Sequence, residues 1–249
     1  MIDELSETVT VDNGRWTLTE TLCGGPDRGM FRASGDVPAL ITIGSPQRRS
    51  HVELARHFAY VIAGVTPFFT IQAVTIEGVR YDALVEAEPA GAPITVKHPS
   101  DGRAVARGLV EIVARAHAVG QVLGGIRPEL VYAEGAKCTG LAPRAEPFLA
   151  GASERSYGVP PSFDEVYLSP EAISLAAITP ASDVFSLCAT LVYVLEGEPP
   201  FPGESLMERV TAAMNGCPRP VAVAPAIIAG LEADPRKRPD VTAVLAALA

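Results

Sequence analysis

Asp183–Phe201 reads DVFSLCATLVYVLEGEPPF, and its pattern decides the fold. Val184, Leu187, Cys188, Leu191, Val192 and Leu195 recur at helical spacing, while Phe185, Ala189, Tyr193 and Val194 carry the apolar surface around the rest of the cylinder. A helix that is apolar on nearly every side lies inside a large core or crosses a membrane. A bilayer span needs about 20 apolar residues, and this run is shorter. The stretch is therefore predicted to be a buried core helix, opened by Asp183 as N-cap and closed by Gly197.

The chain around it has enough material for such a core. It has 249 residues, 48% of them hydrophobic and 20% charged, which marks a globular chain of one large domain or a two-part unit. A formal net charge of −9 argues against nucleic acid, whose binding needs clustered cations. Cys23, Cys138, Cys188 and Cys217 stand far apart without CxxC spacing, so they read as reduced thiols rather than metal ligands or a disulfide framework. The acidic start MIDELSETVTVD has no apolar export signal, and the chain is expected to be cytoplasmic, as a protein of its own or as the cytoplasmic domain of a larger membrane-anchored one.

The first third of the chain reads as strands. Trp16–Leu22 (WTLTETL) alternates apolar and polar residues, a glycine-bearing turn CGGPDRG follows, and Pro38–Ile43 (PALITI) forms a third strand. Ser50–Gly64 carries a partial helical stripe through Val52, Ala55, Ala59 and Ile62. Phe68–Glu88 gives two strands joined at Glu77-Gly78, a hairpin signal, and Glu86–Gly91 (EAEPAG) has the composition of a hinge. From there the chain is helical. Gly102–Gly120 places Val105, Leu109, Ile112, Val113 and Ala116 on one face, and Leu206, Val210, Ala213 and Met214 mark another amphipathic helix.

Ala116–Tyr132, AHAVGQVLGGIRPELVY, resembles over its whole length the catalytic loop A-H-x-x-G-x-x-H-R-D-I-K-P-E-N-V-L of the bacterial, eukaryotic-like Ser/Thr protein kinases. Ser169-Pro170-Glu171 matches the A/S-P-E that ends the activation segment of that family. Asp183–Phe201 resembles its central helix, and LEADPRKRPD its closing L-x-x-D-P-x-x-R-P. The resemblance implies an α+β, two-lobed protein kinase-like fold. Residues 1–13 would form a tail, 14–87 a small, mainly β N-lobe with one helix, and 88–249 a larger helical C-lobe. It also implies that Arg238 pairs with Glu171 and that Leu123 and Leu141 replace a His and a Phe of the hydrophobic spine.

Against that framework the chemical positions are changed. The catalytic aspartate, which accepts the substrate hydroxyl's proton, is Gly125, and the metal-binding asparagine is Leu130. The D-F-G place is taken by Gly140, Leu141 and Ala142, or by a register two residues away, and neither supplies a carboxylate. The phosphate-binding lysine falls at Ile41, or at Thr42 with a one-residue shift. The three glycines of the phosphate loop become Cys23, Gly25 and Arg28, while Arg127 keeps the charge of the loop lysine. Glu53, the counterpart of the helix glutamate, has no lysine to pair with. His117 reads as a structural histidine.

The resemblance thus implies a pseudokinase without catalytic residues, cofactor or metal, acting through protein partners such as an active Ser/Thr kinase or a forkhead-associated domain protein. A metal-independent nucleotide sensor, with Arg28 or Arg127 supplying the cation, is the second reading, and residual phosphotransfer by an unusual geometry is the third. Thr8 and Thr10 among acidic residues, and Ser153, Ser156 and Tyr157 in the activation-segment equivalent, are candidate phosphorylation sites. Glu171, Arg238 and Asp183 are expected to be structural.

Overall fold

Strand-forming residues fill the first part of the chain and helix-forming residues the last, and the computed structural model follows that division. It describes residues 10–11, 15–25, 28–44, 62–65, 68–76, 79–141, 166–174 and 176–249. They fall into two compact units, one drawn from 1–61 and 66–88 and the other from 62–65 and 89–249.

In the first unit β1 (Thr10–Val11), β2 (Trp16–Gly25), β3 (Arg28–Gly35), β4 (Ala39–Gly44), β5 (Phe68–Ile76) and β6 (Val79–Ala87) form one antiparallel sheet. Its order is β1-β2-β3-β4-β6-β5. Alternation puts Trp16, Leu18, Phe31, Ala33, Ala39, Ile41, Ala83 and Val85 into one buried cluster. Trp16 is fully buried and donates its indole N–H to the Val37 carbonyl at 3.2 Å, which satisfies its polar end. Thr10 and Val11, placed in the tail by the sequence reading, pair with Thr17 and Trp16 at the edge of the sheet.

Two expectations are corrected here. The glycine-bearing turn is narrower than CGGPDRG, because Cys23, Gly24 and Gly25 continue β2 and pair with Met30, Gly29 and Arg28 of β3. The stripe over Ser50–Gly64 lies outside the described residues up to 61, and Ile62–Val65 form a turn rather than a last helical turn. Gly64 has φ +93°, which ends a helix, and a Cβ there would meet Ile112 Cγ1 at 2.6 Å. The Gly64 carbonyl instead accepts the Leu141 N–H at 2.8 Å.

The second unit is mainly helical. A small sheet of β7 (Ala92–Pro93), β8 (Val131–Glu134) and β9 (Lys137–Leu141) is followed in sequence by most of the helices. The helices are α1 (Gly102–Ala118), α2 (Pro170–Ile173), α3 (Pro180–Glu196), α4 (Leu206–Met214), α5 (Pro225–Ala229) and α6 (Val241–Ala246). Asp101 caps α1 by accepting the Ala104 N–H at 3.0 Å, and the predicted face Val105, Leu109, Ile112, Val113, Ala116 is buried. The helix α4 forms where its periodicity predicts, but only Ala213 of its stripe is fully buried, so it lies at the surface.

The helix α3 is buried at every residue from 182 to 192 and packs against α1. It ends at Gly197 with φ 80°, the left-handed turn expected of a C-terminal glycine. Its start differs from the sequence reading. Thr179 is the N-cap, Pro180 opens the first turn, and the Ser182 hydroxyl accepts the Thr179 N–H at 3.0 Å. Asp183 lies inside the helix, fully buried, and is not its cap. Its carboxylate is occupied elsewhere.

Candidate functional site

Residues 121–130 run from the end of α1 to the short 3₁₀ turn Pro128–Leu130 with no strand or α-helix of their own. Leu123, Ile126, Arg127, Pro128 and Leu130 are buried in this stretch. Backbone groups in so buried a loop need partners. The helix α3 supplies them. One Asp183 oxygen accepts the Leu123 N–H at 2.8 Å and the other accepts the Gly124 N–H at 2.7 Å. His117 Nε2 on α1 adds a third bond to Asp183 at 2.9 Å. Two turns further along α3, the Thr190 hydroxyl donates to the Ile126 carbonyl at 3.2 Å. A buried carboxylate is tolerated only when its lone pairs are matched in this way.

The loop held by these bonds carries a glycine, not an acid, at position 125. Gly124 and Gly125 have φ 70° and 59°, a left-handed backbone that glycine adopts freely. Gly125 is buried. Leu130 is fully buried and packed, and Gly140 in β9 lies against Pro89, where a Cβ would meet the proline Cβ at 2.8 Å. Arg127 is 4% exposed, with its Nε 4.0 Å from a Glu129 carboxylate oxygen. Leu123 and Leu141 are both fully buried.

In the first unit Ile41 of β4 pairs with Phe31 and Val85 across the sheet and is fully buried in the apolar cluster. Thr42, the next residue along β4, pairs with Met30 and Leu84. Arg32 is held by Glu20 and by Glu88, the latter at 2.7 Å. Cys23, Gly25 and Arg28 are backbone-paired in the β2–β3 hairpin.

A second cluster lies where α2 meets the segment before α6. Ser169 caps α2 by accepting the Ala172 N–H at 3.3 Å, and Glu171 follows in the first turn. Arg238 grips Glu171 through two bonds of 2.6 and 3.0 Å, and donates as well to the carbonyls of Ala181, Glu232 and Ala233. Its guanidinium also sits 4.9 Å from the centre of the Phe185 ring, which stacks on Phe201. Burial alone would raise the Glu171 pKa, but the bonds from Arg238 and Ser182 outweigh it and hold the carboxyl below its ordinary 4.5.

Burial pushes the Cys138 thiol up to about 11 and that of Cys188 to about 12, so neither is a thiolate near neutral pH. No group of three His, Cys, Asp or Glu among the described residues could hold a metal ion. No helix among them is long and apolar enough to cross a membrane.

The structure brings Glu171 to Arg238, and Asp183 to Leu123, Gly124 and His117. Thr8, Ser153, Ser156, Tyr157 and Glu53 lie outside the described residues, and Thr10 lies in β1. The sequence reading missed the link between His117 and Asp183 and the role of Thr190. A signal was present, since Asp183 and Thr190 stand seven residues apart on one side of a mostly apolar helix.

The chain is thus a mixed α+β protein with an antiparallel sheet followed by helices, consistent with a kinase-like arrangement. It is similar to the probable serine/threonine-protein kinase PkwA of Thermomonospora curvata, with 26% identity over 263 residues, covering 94% of this chain and 34% of that protein. The chain therefore spans about a third of the length of the curated relative it matches. No family model matches it.

Proposed function

We propose that this chain is a catalytically inactive, protein kinase-like module, a pseudokinase that works through protein contacts in bacterial Ser/Thr kinase signalling. One observation carries the reading. The loop corresponding to the kinase catalytic loop is bonded at Leu123, Gly124 and Ile126 to Asp183 and Thr190, yet position 125, where transfer needs a carboxylate, is a buried glycine. Scaffold bonds have been kept where chemistry has been lost. Leu130, Gly140 and Ile41 extend the same pattern to the metal and phosphate positions. Similarity to a probable Ser/Thr kinase supports the comparison of motifs. In this reading the module acts in the cytoplasm, and its partners are proteins: an active Ser/Thr kinase, or a forkhead-associated domain that reads phosphorylated threonine.

The test is phosphotransfer. The purified chain is incubated with γ-labelled ATP, magnesium or manganese, and generic protein acceptors. The expected result is no label above a protein-free blank on the chain or on any acceptor. Incorporation that persists after contaminating kinases are excluded would overturn the proposal.

A further inference from the structure

Ala114, His117 and Ala118 of α1, Pro180 and Val184 of α3, and Asp240 at the start of α6 border a pocket of about 520 Å³ within the second unit. Its volume is in the usual range for binding pockets, about 300–1,000 Å³. Two of its walls are fixed by buried bonds. His117 is tied to Asp183 at 2.9 Å, and Arg238 is gripped by Glu171 and three backbone carbonyls. Neither side chain can fall into the space without breaking those bonds, so the pocket is formed before anything enters it.

Its chemistry is apolar, with one exposed carboxylate, Asp240, at the rim. Ala, Pro and Val side chains make up most of the lining. The charge of Arg238 is spent on Glu171, and that of Asp183 is directed to its three donors. Asp240 uses one oxygen to cap α6 through the Ala243 N–H at 2.8 Å, and no cation among the described residues pairs with it. Ala118, Pro180, Asp240 and Thr242 are exposed, so the pocket opens to solvent and is not an enclosed cavity. A small ligand is usually 70–90% buried in its site. An open, pre-formed concavity instead suits a side chain projecting from another protein surface.

We propose that this pocket docks an apolar side chain carried on a basic segment of a partner protein, with the flanking positive charge set against Asp240. The inference rests on the reading of the chain as a non-catalytic interaction module and names a surface for it.

The test uses the whole chain with methyl-labelled Ala and Val, titrated with acetyl-Lys-Trp-Lys-amide, acetyl-Glu-Trp-Glu-amide and N-acetyltryptophanamide. The basic peptide is expected to shift the methyls of Ala114, Ala118 and Val184, and the acidic peptide to leave them unmoved. Asp240→Asn keeps a capping side chain and should weaken the basic peptide roughly two- to fivefold. Ala118→Phe should abolish binding by filling the pocket, and if it fails to fold the Asp240→Asn result decides. Equal binding of both peptides, shifts confined to other methyls, or an unchanged affinity in Asp240→Asn would overturn the proposal. Binding of N-acetyltryptophanamide as tight as that of the basic peptide would mark a small-molecule site instead, and would overturn it too. No arm reads phosphate, so loss of the pocket leaves the non-catalytic reading standing, and detected phosphotransfer leaves the peptide result to be judged alone.

Discussion

A carboxylate restored at position 125 would enter a backbone already turned to φ 59°, at a buried position. The left-handed conformation costs a non-glycine residue about 1–2 kcal/mol, with Asp among the less penalised. Burying the charge adds to that. At position 140 a new Cβ would approach Pro89 at 2.8 and 3.0 Å, so the proline or β9 would have to shift. The double variant Gly125→Asp/Gly140→Asp is therefore expected to stay inactive in the phosphotransfer assay. It should also lose about 2–4 kcal/mol in urea unfolding. Recovery of transfer with unchanged stability would show that the loop tolerates what its glycines now exclude. At Glu171 the same scale gives a pH dependence. The folded carboxyl titrates below the ordinary value of 4.5. Its contribution is fully present above pH 4.5 and is lost as the pH falls through the lowered folded value. Glu171→Gln should flatten the acid limb of the stability curve in that window and leave the curve above pH 6 parallel to wild type. An acid limb of unchanged steepness would place the titrating group elsewhere.

Within single elements, α3 shows what the sequence reveals and what it conceals. Its existence and burial were legible because apolar residues cover the whole cylinder, and Gly197 marked its end. Its start was misplaced by four residues, because an aspartate ahead of an apolar run has the composition of a cap. Only the tertiary structure shows that its oxygens serve the loop of residues 123–124. The hairpins of the sheet were legible from alternation and from Glu77-Gly78, whereas the stripe over Ser50–Gly64 gave no warning that Gly64 would turn left-handed. Asp183→Ala should cost about 3–5 kcal/mol, since it strands two buried backbone N–H groups and His117 together. Thr190→Val, which loses one bond to the Ile126 carbonyl at similar volume, should cost about 1 kcal/mol. Chemical denaturation of both variants checks the ranking. If Asp183→Ala proved no worse than Thr190→Val, water would be replacing the carboxylate and the loop would not be moored as described.

Across the whole chain, the long-range pairs are what local pattern cannot supply. Glu171 and Arg238 are 67 residues apart, and only the resemblance to a known family suggested their union. His117 and Asp183, 66 residues apart, were joined by neither periodicity nor resemblance. Periodicity reports which face of an element is buried, and says nothing of which element covers it. The candidate site was legible in a different sense: Gly125, Leu130 and Gly140 at its aligned positions could be read in the sequence, while the left-handed glycines and the crowding at Pro89 could not. These positions, together with Ile41, fall in both units, which gives a prediction for the molecule as a whole. A ligand that binds only the folded state at about 100 times its Kd adds about 2.7 kcal/mol of stability. For a chain of this length each kcal/mol is about 2–4 °C in Tm. With no lysine at Ile41 and no carboxylate at Gly140, millimolar ATP is expected to raise Tm by less than about 1 °C, with or without magnesium. A rise of several degrees that survives chelation would instead support a metal-independent nucleotide sensor, using Arg28 or Arg127 as its cation. A rise that needs magnesium would mean that a metal is held by groups other than those at positions 130 and 140, and the reading of a chain without cofactor would fail.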